Sequence, residues 1–183
     1  MVINEPGLCA VMRDAFRKKS TGYKVAAQLS EKKERELILS APGWGVVISR
    51  ENAPRKVLAL IVEHVGDLPD EGMAFHVKDG NVQTEIYNMA VPDPGELVAG
   101  AKVKRTNLTY NGYQIWQHAD NLKVFMVAPK IEDLMDNYNR EVRLTADGRF
   151  YVEGVASRLH IQPLEVEQNE LPALHHLAKM RWV

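Results

Sequence analysis

Three glycine turns set among alternating apolar residues constrain this chain more than any other feature. They are Lys78-Asp79-Gly80-Asn81, Tyr110-Asn111-Gly112-Tyr113 and Ala146-Asp147-Gly148-Arg149. Asp-Gly and Asn-Gly supply the positive φ angles of a two-residue type I′ turn, whose twist matches that of paired strands. Each turn therefore predicts a hairpin: Met73–Lys78 with Asn81–Asn88, Ala101–Tyr110 with Tyr113–His118, and Val142–Thr145 with Arg149–Glu153. Pairing in turn decides which side chains share a face.

The remaining strands and helices are read from periodicity. Leu8, Val11, Met12, Ala15 and Phe16 recur at helical spacing and predict a helix over about residues 7–19. Residues 23–40 fit strand and helix about equally. Trp44–Ser49 reads as a strand. Val57–Val62 is apolar on both faces and rich in β-branched residues, so it reads as a buried central strand, with a helix over 53–65 closed by Gly66 as the rival. Ala90–Gly100 reads as a loop, Leu122–Val127 and Ser157–Ile161 as strands, Lys130–Tyr138 as a short helix, and Glu167–Trp182 as a helix. The fold expected is α+β: an antiparallel meander of about seven to ten strands, an N-terminal helix, a short helix near 130–138 and a C-terminal helix.

A length of 183 residues suits one domain, 1–183, with residues 1–41 allowed as a helical embellishment. No apolar run nears the ~18 residues of a membrane helix, so no membrane partner is expected. The start, Met1-Val2-Ile3-Asn4-Glu5-Pro6, has no secretory pattern. Cys9 is the only cysteine, which rules out an intrachain disulfide. Together these lead to a cytoplasmic expectation.

Charge is uneven along the chain. Residues 1–56 carry a balance of +5 and residues 57–183 one of −6. Basic groups cluster in Arg17-Lys18-Lys19 and Lys32-Lys33, the second interleaved with Glu31, Glu34 and Glu36, as on a solvated face. Three short helices over 7–19, 23–29 and 31–39 would mimic a helix-turn-helix, although the usual sharp turn is missing.

Strand alternation in the second hairpin yields one site candidate. Tyr110 with Tyr113, Leu108 with Ile115 and Thr106 with Gln117 should form one face, whose apolar members pack on the core. Thr109 with Gln114, Asn107 with Trp116 and Arg105 with His118 should form the other, wet face. Arg105, Asn107, Trp116 and His118 would then offer an indole plane flanked by polar groups, suited to stacking a flat ligand. An ordinary solvent face with Arg105 shielding the indole is the competing reading.

No catalytic, metal or nucleotide motif is present. The six histidines show no ligand spacing, so no metal and no cofactor is expected. Cys9 reads as a packed thiol, and the pairs Asp70-Glu71 and Glu132-Asp133 as solvated or helix-start carboxylates. The first expectation is a non-catalytic binding or regulatory protein acting through a sheet face on a protein or small-ligand partner. The second is a small-molecule enzyme using His118 or His76 with Arg105. The third is nucleic-acid binding through basic residues 13–56. The sequence does not set the oligomeric state.

Overall fold

The computed structural model describes residues 1–17, 21–30, 32–86, 97–136, 140–164, 171–177 and 179–182. Lys18, Lys19, Glu31, the end of the expected helix at Tyr138, residues 90–96 of the expected loop and the start of the C-terminal helix at Glu167 lie outside them. In chain order the elements are α1 (Glu5–Arg17), β1 (Tyr23–Leu29), β2 (Arg35–Ala41), β3 (Trp44–Ser49), α2 (Arg55–Val65), β4 (Met73–Lys78), β5 (Asn81–Ile86), β6 (Leu97–Tyr110), β7 (Tyr113–His118), β8 (Val124–Val127), α3 (Pro129–Glu132), β9 (Val142–Thr145), β10 (Phe150–Glu153), β11 (Ser157–Ile161) and α4 (Leu171–Leu177). All the strands join one sheet in the order β5-β4-β1-β2-β3-β11-β10-β9-β6-β7-β8. Neighbouring strands run antiparallel throughout. The fold is α+β, as the turns predict.

One face of the sheet, the inner face, carries the main core. Val25, Leu39, Val46, Val77, Trp116, Phe125 and Phe150 join Leu8 and Met12 of α1 and Val57, Leu60 and Ile61 of α2 in a single buried cluster. Ten strand spacings would make a flat sheet about 48 Å wide, yet α1, about 20 Å long, reaches both ends. It packs on β4 near one end and on α3, just past β8, at the other. The sheet therefore curls around its helices. Gly7 makes the second contact close: a Cβ there would lie 2.1 Å from the Asp133 carbonyl oxygen.

The expected central strand at Val57–Val62 is helix α2. Its buried residues are Val57, Leu60, Ile61 and His64, spaced for one helical stripe. Pro54 precedes the first turn, and Gly66, at φ 97°, ends the helix with its N–H on the Val62 carbonyl. Packing of that stripe overrode the β preference of its branched residues. Residues 23–29 and 35–41, open between strand and helix in the sequence, are strands paired with each other. That removes the helix-turn-helix and the wholly helical reading of residues 1–41.

Two of the three turns match expectation. Asp79, Gly80, Asn111 and Gly112 all have positive φ, as type I′ requires. The third is wider. Gly148 has φ 84°, but Asp147 has no positive φ, and Leu144 pairs with Phe150 rather than Ala146 with Arg149. Asp147 holds the Thr145 hydroxyl through its carboxylate, and the Thr145 Oγ1 also accepts from the Arg149 N–H at 2.9 Å. This is a three-residue loop with one left-handed glycine.

Candidate functional site

The second hairpin departs from its expected register. Tyr110 pairs with Tyr113 and Thr109 with Gln114, but Arg105 pairs with Trp116 and Val103 with His118. Strand β6 therefore carries two extra residues between Arg105 and Thr109. Gln114 fills the bulge: its Nε2 donates to the carbonyls of Thr106, Leu108 and Ile115 at 2.8–3.0 Å. The Thr106 hydroxyl donates to the Ile115 carbonyl at 2.8 Å. Because the shift is two residues, side chains keep their faces, and only their neighbours change.

The expected wet face is the inner, dry one. Trp116 is 0% exposed, with its ring 5.4 Å from Phe150 in the main core. Its indole N–H donates to Glu132 Oε1 at 2.8 Å, and Arg105 Nε donates to the same oxygen at 2.9 Å. Glu132, 4% exposed, is therefore a buried anchor and not the solvated helix-start carboxylate its sequence context suggests. His118 is buried too, and its Nδ1 accepts from the backbone N–H of Asp120 at 3.1 Å and of Asn121 at 3.3 Å. That places the ring proton on Nε2 and ties the imidazole to the β7–β8 turn. Asn107 is exposed in the bulge. The structure thus brings Arg105, Trp116 and His118 to one face but closes the indole plane to any ligand.

The apolar set Leu108, Ile115, Tyr110 and Tyr113 does share the opposite face. It packs with Val124, Met126, and Leu174 and Leu177 of α4, a second and smaller core. Gln117, on the same side, donates to the Met180 carbonyl and accepts from the Trp182 N–H. β7 is therefore covered on both sides.

His76 stands apart from Arg105. It sits on β4, second in the sheet order, whereas β6 is ninth. Its partners are outer-face residues, Lys24 and Gln83, and its Nε2 donates to the Thr21 carbonyl at 3.3 Å.

The outer face of β1–β4 has a different chemistry. Ala26, Ile38, Val47 and Ala74 form a small apolar cluster to which no helix contributes among the described residues. Long polar side chains stand over it. Lys24 donates to Glu85 at 2.9 Å, while Glu36 accepts from Gln28 at 3.0 Å through one oxygen and from Arg158 at 2.8 Å through the other. Lys24 and Glu85 leave their charged ends toward water, whereas the Glu36 side chain is mostly covered, at 13% exposure. His160 continues this face, its ring lying over Gly45, where a Cβ would come within 2.2 Å. Burial chiefly, with Arg149 second, lowers the His160 pKa below the usual histidine value.

Two other groupings of polar side chains are present. A cleft of about 380 Å³ is lined by Arg35, Arg50, Asp70 and Glu71. Its charges are mixed, and Arg35 and Glu71 pair at 3.4 Å. Inside the core, the Tyr23 hydroxyl and His64 Nδ1 hydrogen-bond at 2.8 Å, and Phe16 stacks on His64 at 4.0 Å. Burial lowers the His64 pKa and raises that of Tyr23.

No family model and no curated protein matches the chain. Among solved structures it is similar to the crystal structure of the DNA polymerase III beta chain from Streptococcus pneumoniae TIGR4, with a TM-score of 0.38 and 10% sequence identity. The match covers 95% of this chain and 68% of that one. A likeness that distant assigns neither a family nor an activity.

Proposed function

We propose that this chain is a non-catalytic protein-binding module that works through the outer face of β1–β4 and β11. The observation that carries this reading is the contrast between the two sheet faces. The aromatic and ionic groups of the inner face are consumed by packing, with Arg105, Trp116 and Glu132 satisfying one another. The outer face instead presents charged ends of both signs above a small apolar floor, without a helix in that cluster. A broad surface of mixed charge suits a protein partner of complementary pattern. It is a poor match to the single-sign stripe that nucleic acid favours. Lys24, Arg35 and Lys56, from the basic first third, each already pair with a carboxylate.

The test is capture from the native host by the wild-type chain and by a Lys24→Ala/Arg158→Ala variant. Partners recovered with the wild type should be lost with the variant while its melting temperature stays within a few degrees. An unchanged partner set would remove the outer face from the mechanism. Binding of a nucleic acid that weakens steeply with salt would replace it with the third expectation.

A further inference from the structure

The edge strand β5 leads to a second, independent surface. Among the described residues only β4 pairs with it. At the opposite edge the Leu164 N–H bonds to the Met126 carbonyl of β8, and α4 packs on that strand. Among the described residues nothing comparable protects β5. Its sequence, Asn81-Val82-Gln83-Thr84-Glu85-Ile86, holds no proline, lysine or bulge of the kind that blocks edge pairing. Its one charge, Glu85, is already held by Lys24.

The hairpin fixes which backbone groups face outward. Lys78 and Asn81 close the type I′ turn as a hydrogen-bonded pair, so bonded and non-bonded pairs alternate from there. Val82, Thr84 and Ile86 fall in the non-bonded positions, and their N–H and C=O groups point away from β4. Their side chains lie on the inner face, opposite Val77, Phe75 and Met73. Val82 is nevertheless 37% exposed and Ile86 74% exposed.

We propose that β5 pairs antiparallel with β5 of a second copy of this chain about a two-fold axis at Thr84. This register places Val82 opposite Ile86 of the other copy, twice, and Gln83 opposite Glu85, twice. It covers both exposed apolar side chains and opposes no like charges. Moving the axis to Gln83 leaves Ile86 beyond the partner strand, and moving it to Glu85 sets two carboxylates face to face. The strand is thus complementary to itself, as a closed two-fold interface requires. One six-residue edge is a small contact, so the dimer forms reversibly with concentration.

Sedimentation of the full chain across concentrations tests the proposal. The wild type should pass from monomer to dimer, and Thr84→Pro, whose lost N–H serves no bond inside the subunit, should weaken association about tenfold or more. Ile86→Lys should do the same if the proline variant fails to fold. Oxidation provides the register: Thr84→Cys should give a covalent dimer, since directly opposed residues lie about 5.5 Å apart. Gln83→Cys should not, because its copies would sit diagonally, beyond about 7 Å. A wild type that stays monomeric up to about 0.5 mM overturns the proposal, as does a dimer indifferent to folded Thr84 and Ile86 variants. Faster cross-linking at Gln83 than at Thr84 overturns the register.

Discussion

Hairpin 73–86 and hairpin 101–118 turn on the same backbone geometry, with φ of 50° and 74° at Asp79 and Gly80 and 49° and 80° at Asn111 and Gly112. Both pair in the order their turns dictate. Past the turn they part company. In the second, β7 is buried on both faces, between the α1–α2 core and α4. In the first, β5 is exposed along nearly its whole length. The difference lies in what covers each strand. A turn sets faces and, up to the first bulge, partners, but burial is decided by helices that arrive from distant parts of the chain.

The largest effect should separate the two hairpins directly. Trp116→Ala should cost about 3–5 kcal/mol, because it empties a core site, and Ile115→Ala about 2–5 kcal/mol. Val82→Ala should stay within about 0.5 kcal/mol in the monomer. Chemical denaturation of the three variants checks this, and a Trp116→Ala loss no larger than that of Val82→Ala would return the indole to a wet face.

Next come the turns themselves. A Cβ added at Gly80 or Gly112 would meet no atom within 4 Å, so backbone strain is the main effect of a side chain there. Gly112→Val should lower global stability by about 1–3 kcal/mol. Gly80→Val should register less in a global melt, since an uncovered hairpin can open locally and shed its strain. Equal losses at both glycines would show that the first hairpin unfolds only with the whole domain.

Glu132→Ala should cost about 1–3 kcal/mol by leaving the buried indole N–H of Trp116 without an acceptor. Glu132→Gln keeps an acceptor oxygen and should recover part of that loss, measured by the same denaturation curves. Equal costs for the two variants would mean that the ion pair with Arg105, and not the indole bond, is what the carboxylate supplies.

Acidification should give the smallest change. Burial lowers the pKa of His64, and of His160, below the usual 6.5. The unfolded chain then binds more protons, so the contribution of these neutral rings is complete above pH 6.5 and is lost as pH falls toward their folded values. Melting temperature against pH should slope less in His64→Gln than in the wild type. Parallel curves would remove His64 from the pH response.

Much of the sheet was legible because turn residues and alternation are local. Met73–Lys78, Tyr113–His118, Val142–Thr145 and Ser157–Ile161 are strands with the limits their patterns predict. What was not legible depended on distance. The polar residues Gln114, Gln117 and His118 look like solvent-facing groups, and they are buried because backbone carbonyls accept from the two glutamines and a backbone N–H donates to His118. Trp116 looked exposed because its acceptor, Glu132, is sixteen residues away on α3. Helix α2 did leave a local trace, the Val57, Leu60, Ile61 and His64 spacing ahead of Gly66, which β-branched content obscured. The third turn widened through the Thr145 hydroxyl, a contact that an Asp-Gly pair does not announce. The polar groups of the outer face left no pattern in the sequence, because Lys24 meets Glu85, and Arg158 meets Glu36, only once strands distant in the chain are assembled into the sheet.

Residue-resolved hydrogen exchange compares the two hairpins most directly. At low protein concentration, amides of Tyr113–His118 should exchange among the slowest in the chain. The outward amides of Val82, Thr84 and Ile86 should exchange fast and slow down as concentration rises. Equal protection of the two hairpins at every concentration would contradict the account, since it would mean that cover from α4 and the helical core is not what distinguishes them.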